Sequence, residues 1–222
     1  MVHNSGINTA AAIDDNRAGS LYDRIARLYA LTFKINGYRR SIERYFREHP
    51  LPLEDDAQIL DAGCGMGLLT LAMLRTLPRP AHITAIDLSA SSLQKARQAV
   101  EGVLADRPQH RVRFLQANLL SLPFASETFD FIATSGALEY VPLREGLGEL
   151  ARVLKPGGYL FHLPVRPTPA SKLLEIMFRF KTHPPQEVDA NTERYLRIIS
   201  RYHFPPTDLI GWTKVAIMAQ KQ

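Results

Sequence analysis

The chain has 222 residues, of which 45% are hydrophobic and 22% charged, a composition that predicts a folded globular protein and excludes a disordered or fibrous one. Its formal net charge of +5 and pI of about 9.4 favour a solvated basic surface over a nucleic-acid partner, which charge alone leaves open. No apolar run approaches the ~20 residues of a membrane span and no secretion signal is visible, so peripheral membrane contact is the most we expect.

The N-terminal part of the chain predicts helices rather than sheet. Residues 1–19 are small and polar and predict a flexible N-terminus. Apolar residues recur at helical spacing from Leu21 to Phe46, and Gly37 predicts a break between two helices. We therefore expect one domain over residues 20–222, with N-terminal cover helices at 20–50.

Short apolar runs then alternate with longer amphipathic ones. This alternation is typical of βαβ units, which build a mostly parallel sheet with helices on both faces. The fold class is therefore α/β, doubly wound and Rossmann-like. The predicted strands are Gln58–Ala62, His82–Asp87, Val112–Gln116, Phe129–Thr134 and Tyr159–Pro164, and the predicted helices are Leu68–Thr76, Ser89–Leu104 and Leu143–Val153.

The C-terminal tail predicts a helix near Glu193–Tyr202, followed by two short strands that pair as a hairpin. These strands lie around Thr207–Thr213 and Val215–Gln220. They bring the sheet to seven strands, with an antiparallel strand at its C-terminal end.

The single cysteine, Cys64, has no partner for a disulfide and no Cys or His at the spacing of zinc ligands. We therefore expect a protein of the reducing cytoplasm without a metal site.

A glycine loop, Asp61–Gly67, follows the first predicted strand and opens a helix. In a doubly wound sheet this turn lies at the carboxyl ends of the strands, where ligands bind. Dinucleotide folds use G-x-G-x-x-G to hold a pyrophosphate on the helix N-terminus, whereas the spacing here is G-x-G-x-G with Asp61 before it. A carboxylate in that position would repel a pyrophosphate but suits a cationic ligand. The alternative is a tight turn in which Asp61 caps the helix.

Asp87 ends the second predicted strand about 20 residues after the glycine loop, where an acidic residue can accept both hydroxyl hydrogens of a ribose. The alternative is an exposed strand end, or a cap for the helix that starts at Ser89. Asp61 and Asp87 together indicate a nucleoside that carries an ammonium group and no pyrophosphate.

Several segments in the same order resemble class I S-adenosylmethionine-dependent methyltransferases. They are ILDAGCGMGLLT, ITAIDLSASSLQKAR, and the stretch from VRFLQANLLSLPF through FDFI to RVLKPGG. The resemblance runs from about Tyr22 to Val165, roughly two thirds of the chain. It implies a seven-stranded methyltransferase sheet and S-adenosyl-L-methionine as the cofactor.

The resemblance also implies cofactor-binding residues at the ends of four strands. The residues at the end of the first strand would line the methionine part of the cofactor, and those at the end of the second strand would contact its ribose and adenine. The residues after the third strand would contact the adenine amino group, and the residue after the fourth strand would lie beside the sulfonium. They are Asp61, Gly63, Gly65, Met66, Asp87, Leu88, Asn118, Leu119 and Ser135. For Asn118 a turn, and for Ser135 a helix start, are the alternatives.

Catalysis by this class needs no single residue, because the cofactor supplies the reactive group. Glu139 and Tyr140 stand where many relatives have a His pair, so Glu139 is a candidate base and Tyr140 a candidate orienting group. A helix start, where Glu suits the dipole, is the favoured alternative for both. His162 lies in an apolar strand. We therefore expect a buried core histidine whose ring nitrogens are hydrogen-bonded, rather than a catalytic base.

Within the class, YDRIARLYALTF and QANLLSLPFASETFDFI resemble the menaquinone and ubiquinone biosynthesis methyltransferases. The apolar segment Leu173–Phe180 would line a pocket for a lipophilic acceptor or lie on a membrane surface, although an ordinary buried helix is the simplest interpretation. The leading hypothesis is a methyltransferase that acts on a small, lipophilic acceptor. The alternatives are an RNA or protein methyltransferase, a non-catalytic S-adenosylmethionine-binding protein, and a dinucleotide oxidoreductase.

Overall fold

The computed structural model describes residues 37–168, 171, 172, 175 and 179–222, apart from the side chains of Leu209 and Trp212. The predicted flexible N-terminus, the first cover helix and most of the apolar segment Leu173–Phe180 lie outside these residues. No helix in the described ranges is both long and apolar enough to cross a membrane.

The secondary structure follows the predicted alternation of strands and helices through most of the described chain. The strands are β1 (Ala57–Ala62), β2 (Ala81–Asp87), β3 (Arg111–Gln116), β4 (Phe129–Ser135), β5 (Leu154–Leu163), β6 (Arg197–Tyr202) and β7 (Ala216–Gln220). The helices are α1 (Tyr38–Glu48), α2 (Leu68–Thr76), α3 (Ala90–Asp106), α4 (Leu143–Val153), α5 (Pro185–Glu193) and α6 (Leu209–Thr213), with a 3-10 turn at Leu138–Tyr140.

Within the described residues the strands form one seven-stranded sheet in the order β3-β2-β1-β4-β5-β7-β6. The first five strands are parallel, and β7 lies antiparallel between β5 and β6. The predicted fold class, with its mostly parallel sheet and C-terminal antiparallel strand, is therefore confirmed. The strand order reverses between β1 and β4, and ligands of open α/β sheets bind at such a switch point.

Both faces of the sheet are covered by helices, which is why its central strands are apolar on both sides. Successive strand residues point to opposite faces. Ile59 packs with Phe131 and Phe161 in the core under α1 and α2, whereas Leu60 packs with Ile132 in the core under α4. A fully buried side chain of this size contributes about 1.5–3 kcal/mol of hydrophobic free energy, so the centre of the sheet is the stable base of the site.

The tail departs from the sequence-based expectation in two places. Residues 197–202, predicted as helix, form strand β6, and residues 209–213, predicted as strand, form helix α6. The hairpin partner of β7 is therefore β6, through the register Arg197 to Gln220 and Tyr202 to Ala216. Side chains along β6 are mostly exposed, so no buried face marks this edge strand in the sequence. The predicted strand at Val215–Gln220 is confirmed as β7.

The start of α3 gives a first prediction. Ser89 is its N-cap, and its side-chain oxygen accepts a hydrogen bond of 3.2 Å from the backbone N–H of Ser92. Replacing Ser89 with Ala leaves that N–H without its cap, which typically costs about 1 kcal/mol. We expect the midpoint of thermal unfolding to fall by roughly 2–4 °C. An unchanged midpoint by differential scanning calorimetry would contradict this.

Candidate functional site

The glycine loop forms a tight turn between β1 and α2 that other residues could not adopt without strain. Gly63, Gly65 and Gly67 have φ values of 73°, 53° and 84°, in the left-handed region that favours glycine. The Cys64 N–H donates to the Ile86 carbonyl at 2.8 Å, which ties the loop to the end of β2. The loop thus lies at the switch point, with its backbone open to a ligand.

Asp61 is fully buried at the end of β1 and serves two purposes. Its Oδ2 accepts hydrogen bonds from the Thr70 N–H at 2.9 Å and the Thr70 hydroxyl at 2.5 Å, so it caps the first turn of α2 as the alternative interpretation proposed. Its Oδ1 has no hydrogen-bond partner within the part of the chain that the structure describes. The pKa of Asp61 is raised to about 7, mainly by burial and to a smaller extent by nearby Asp87, against the lowering effect of the Thr70 hydrogen bonds. One buried carboxylate oxygen is therefore left to a ligand.

Asp87 organises the same loop from the end of β2. Its Oδ2 accepts from the Gly65 N–H and its Oδ1 from the Ser89 N–H, both at 2.8 Å. Each carboxylate oxygen can accept a second bond, so these contacts leave room for a hydroxyl group. Asp87 thus joins the glycine loop to the start of α3.

A cavity of about 890 Å³ opens beside the glycine loop. Its lining brings together five of the predicted cofactor-binding residues with Tyr140: Asp61, Gly63, Gly65, Met66 and Ser135. Four basic residues also line it: Arg39, Arg40, Arg75 and Lys95.

Four predicted cofactor-binding residues do not line this cavity: Asp87, Leu88, Asn118 and Leu119. Leu88 is 70% exposed, whereas Leu119 is buried in the core under α4. The Asn118 side-chain oxygen accepts from the Leu120 N–H at 3.0 Å, which is the turn that the alternative interpretation proposed. Their roles toward a cofactor stay predictions.

The two candidate catalytic residues lie side by side in the 3-10 turn but in different surroundings. Tyr140 is 60% exposed and its ring centroid is 5.9 Å from that of Phe180. Glu139 is buried, and its Oε1 accepts from the Val165 N–H at 2.6 Å. Both line an adjoining depression of about 590 Å³, and Tyr140 alone of the two also lines the main cavity.

Two polar residues near the cavity depart from what the sequence suggests. Lys214, which no motif singled out, is buried and lines the cavity, and its Nζ donates to the Leu163 carbonyl at 3.0 Å. Its one sequence signal is that it immediately precedes the apolar run of β7. His162 is buried as expected, but neither ring nitrogen has a hydrogen-bond partner among the described residues, so the expectation of satisfied nitrogens is wrong. Burial lowers the pKa of His162 to about 4.

The fold and the site together define an α/β domain with a glycine cradle, a buried carboxylate and a cavity at the switch point. Residues 59–158 match the family model described as a methyltransferase domain. The chain is 36% identical over 163 residues to the ubiquinone/menaquinone biosynthesis C-methyltransferase of Syntrophotalea carbinolica, covering 72% of this chain and 65% of the relative. It is 32% identical over 144 residues to the demethylmenaquinone methyltransferase of Lactiplantibacillus plantarum, covering 63% and 55% respectively.

Solved structures share the same fold at low sequence identity. Geranyl diphosphate C-methyltransferase from Streptomyces coelicolor A3(2) superposes with a TM-score of 0.67 at 19% identity, over 82% of this chain and 81% of that one. A SAM-dependent methyltransferase from Aquifex aeolicus gives 0.65 at 18% identity, over 90% and 98%. The chain is thus similar to the class I S-adenosylmethionine-dependent methyltransferases, with a methyltransferase-domain match over residues 59–158. It spans between 55% and 65% of the length of the first curated relatives that it matches.

Proposed function

We propose that the protein is an S-adenosylmethionine-dependent methyltransferase that transfers a methyl group to a small, lipophilic acceptor by in-line displacement. The observation that carries the proposal is the Asp61 Oδ1 atom, which is buried at the cavity beside the glycine loop and lacks a hydrogen-bond partner among the described side chains and backbone groups. A buried carboxylate oxygen is costly unless a donor meets it, and an ammonium group is the best donor for it.

The residues around Asp61 fit the cofactor. A Cβ built on Gly65 would meet nothing within 4 Å, so the glycine leaves open space at the cavity wall. Asp61 would receive the ammonium of the methionine part, and Asp87 would accept the ribose hydroxyls. Met66 and Leu88 are large apolar side chains that stay 45% and 70% exposed, which suits packing against a nucleoside.

When bound, S-adenosylmethionine supplies an electrophilic methyl group on a sulfonium, and the neutral thioether S-adenosylhomocysteine is left. The protein's part is to hold the acceptor in line, to exclude water and, where needed, to take up a proton. Ser135 would lie beside the reacting centre, and Tyr140 would orient the acceptor. Glu139 is a weaker candidate, because its Oε1 is already engaged by the Val165 N–H.

The curated relatives named above are quinone-type methyltransferases, and geranyl diphosphate, the acceptor in the Streptomyces enzyme's name, carries an apolar geranyl chain on its charged diphosphate. The aromatic pair Tyr140 and Phe180 near the cavity supports an acceptor of similar character here. We also propose that residues 20–222 act as a single domain in the cytoplasm. The buried, unpaired thiol of Cys64 supports that compartment.

Calorimetric titration with S-adenosylhomocysteine and, separately, with NAD tests the cofactor. We expect S-adenosylhomocysteine to bind and NAD not to bind, and binding of NAD alone would rule the proposal out. Incubation of lipid, quinone and tRNA extracts with methyl-labelled cofactor then tests the acceptor, and label should appear in the lipophilic fraction. Label in tRNA would favour an RNA methyltransferase, and tight binding without transfer to any extract would favour a non-catalytic binding protein.

Replacing Asp87 with Ala tests the cofactor site itself. The change removes both the proposed ribose contact and the anchor of the Gly65 N–H, so we expect S-adenosylhomocysteine to bind at least about tenfold more weakly. Asp106→Ala, an exposed position at the other end of α3, is the matched control and should bind normally. Equal affinity in the two variants would remove Asp87 from the site.

A further inference from the structure

The cavity has a second group of lining residues besides the glycine loop. They lie after β4, after β5 or two residues before β7, and we call them the β4–β5 end: Gly136, Tyr140, Val165, Phe180 and Lys214. Apart from Gly136 and Lys214 they carry apolar or aromatic side chains, and Lys214 is the cation among them. As far as the described residues go, this end of the cavity is therefore an apolar surface that contains the Lys214 charge.

The Lys214 ammonium is short of acceptors. It is 6% exposed, and of the three donors that an ammonium carries one is directed to the Leu163 carbonyl, at 3.0 Å. No second acceptor and no carboxylate within 4.0 Å is found for it in the described parts of the chain. A Cβ built on Gly136 would lie 3.3 Å from Nζ, so the glycine keeps the space beside the ammonium clear. A buried cation with two unused donors at a cavity wall is costly unless a ligand meets it.

None of the titratable groups described around Lys214 places a negative charge in contact with its ammonium. Glu139 from the 3-10 turn acts on it electrostatically; its Oε1 accepts from the Val165 N–H, and its Oε2 is buried without a hydrogen-bond partner among the described residues. His162 on β5 is buried beside Lys214 and Glu139, and His183 before α5 completes the group. Burial lowers the pKa of Lys214 and Glu139 raises it in part. An anion bound in the cavity would favour the charged ammonium.

We propose that Lys214 binds the ionised hydroxyl group, a phenolate or an enolate, of the methyl acceptor. The inference deepens the proposed function and rests on it, because it assigns the substrate class of the same cavity. Lys214 would touch the substrate directly. An ammonium next to the hydroxyl lowers the pKa of that hydroxyl, so its proton is released to water and the acceptor becomes electron-rich. The acceptor atom would then form its bond to the methyl group as the sulfur–methyl bond of the cofactor breaks, and a carbon acceptor would afterwards lose its hydrogen to water as a proton.

The compact charge of the Lys214 ammonium favours a phenolate or enolate over a carboxylate as the ligand. A carboxylate presents two oxygens and is best held by the planar fork of an arginine, whereas lysine is a compact point charge that suits one oxygen. The aromatic and apolar residues that line the same cavity, Tyr140, Val165 and Phe180, suit the unsaturated body that a phenolate or enolate carries. The β4–β5 end thus matches a flat, apolar molecule with one anionic oxygen.

4-Nitrophenol is a direct probe, because its ionised form absorbs visible light and its neutral form does not. Titrated into the protein with S-adenosylhomocysteine present, it should bind with the pKa of its hydroxyl lowered by about one unit, read from the absorbance as a function of pH. The methyl ether 4-nitroanisole, which cannot ionise, should bind at least about tenfold more weakly. 4-Nitrobenzoate should also bind more weakly than the phenolate.

Lys214→Met keeps an unbranched side chain of similar length and removes the charge. We expect phenolate affinity to fall by about tenfold or more and the lowered phenol pKa to return to its solution value. If Lys214→Met unfolds, the double variant Glu139→Gln/Lys214→Met removes both buried charges together and should lose the phenolate as the single variant does.

Three results would overturn the inference: equal affinity of the unmodified protein for 4-nitrophenolate and 4-nitroanisole, equal or tighter binding of 4-nitrobenzoate, or unchanged phenolate affinity in folded Lys214→Met. The last would mean that Lys214 is a structural counter-charge for Glu139. Binding of S-adenosylhomocysteine is measured in the same samples. If it binds while the phenolate does not depend on Lys214, the inference alone fails, whereas absence of S-adenosylhomocysteine binding refutes the proposed function.

Discussion

Asp61→Asn is expected to weaken the binding of S-adenosylhomocysteine by about 10–100-fold at pH 8. The variant replaces a carboxylate by an amide of the same shape, so the amide oxygen can still accept from the Thr70 N–H and cap α2. The position of Oδ1 then carries an NH₂ group, which cannot accept the ammonium of the ligand. A hydrogen bond between charged groups contributes about 1.5–3 kcal/mol, which gives the expected range. Calorimetry on the purified variant measures it.

The pH dependence of the same binding is a sharper test. Burial raises the pKa of Asp61 from 3.8 to about 7, so the free protein holds a proton there below neutrality. An ammonium ligand needs the ionised form, and affinity should therefore rise between pH 6 and 8. Asp61→Asn should remove this rise. A flat profile in the unmodified protein would contradict the role of Asp61.

Protein stability should change in the opposite direction with pH. Because the folded state holds the proton of Asp61 up to about pH 7 and the unfolded state releases it near 3.8, this group makes the free energy of unfolding fall as pH rises through that window. Asp61→Asn should flatten that part of the curve. Asp55→Asn, at an exposed position before β1, is the control and should retain both pH profiles.

Gly63→Ala is expected to be the most destabilising single change in the glycine loop. Gly63 has φ of 73°, and a Cβ built there would overlap the Cβ of Ala137. Left-handed backbone costs a non-glycine residue about 1–2 kcal/mol and overpacking a further 1–3, so we expect a loss of roughly 2–5 kcal/mol. In a chain of this size the unfolding midpoint should fall by roughly 5–15 °C. Differential scanning calorimetry measures the shift.

Two further variants separate the contribution of backbone strain to the lost stability from that of steric overlap. Ala137→Gly in the Gly63→Ala background removes the overlap but not the backbone strain, so part of the lost stability should return. Gly65→Ala has strain without overlap, since φ is 53° and nothing lies within 4 Å of the added Cβ. It should lose about 1–2 kcal/mol of stability but at least tenfold in S-adenosylhomocysteine affinity, because the methyl group enters the cavity. Normal affinity in Gly65→Ala would show that the ligand does not approach the loop.

The centre of the fold could be predicted from the sequence because local signals mark it. Helices α2 and α4 match their predicted bounds residue for residue, since Gly67 and Pro142 precede them directly. The tail could not be predicted in the same way. β6 is an edge strand with an exposed side-chain pattern, and its pairing with β7 is made across a connection that holds α6. Pairing between segments that lie so far apart produces no hydrophobic periodicity in the sequence of either strand.

The candidate site likewise has a part that could be predicted from the sequence and a part that could not. The glycine loop and its acidic residues could be predicted because backbone conformation and strand ends restrict the residues that fit there. The placement of Glu139 could not, since a Glu at a helix start gives no sign that its carboxylate turns toward the Val165 N–H. Lys214 was missed for a related reason. Lysines are mostly exposed, and its burial depends on the contact between residues 163 and 214.

The position of β7 has a consequence for how the site is assembled. β7 is inserted between β5 and β6, so β6 has no sheet neighbour until β7 has been made and paired. Lys214 stands at the entry to β7, and it reaches Leu163 when the hairpin docks. A molecule in which the hairpin is not docked would therefore keep β1 and its glycine loop in the sheet but would lack the buried Lys214 ammonium at the cavity wall.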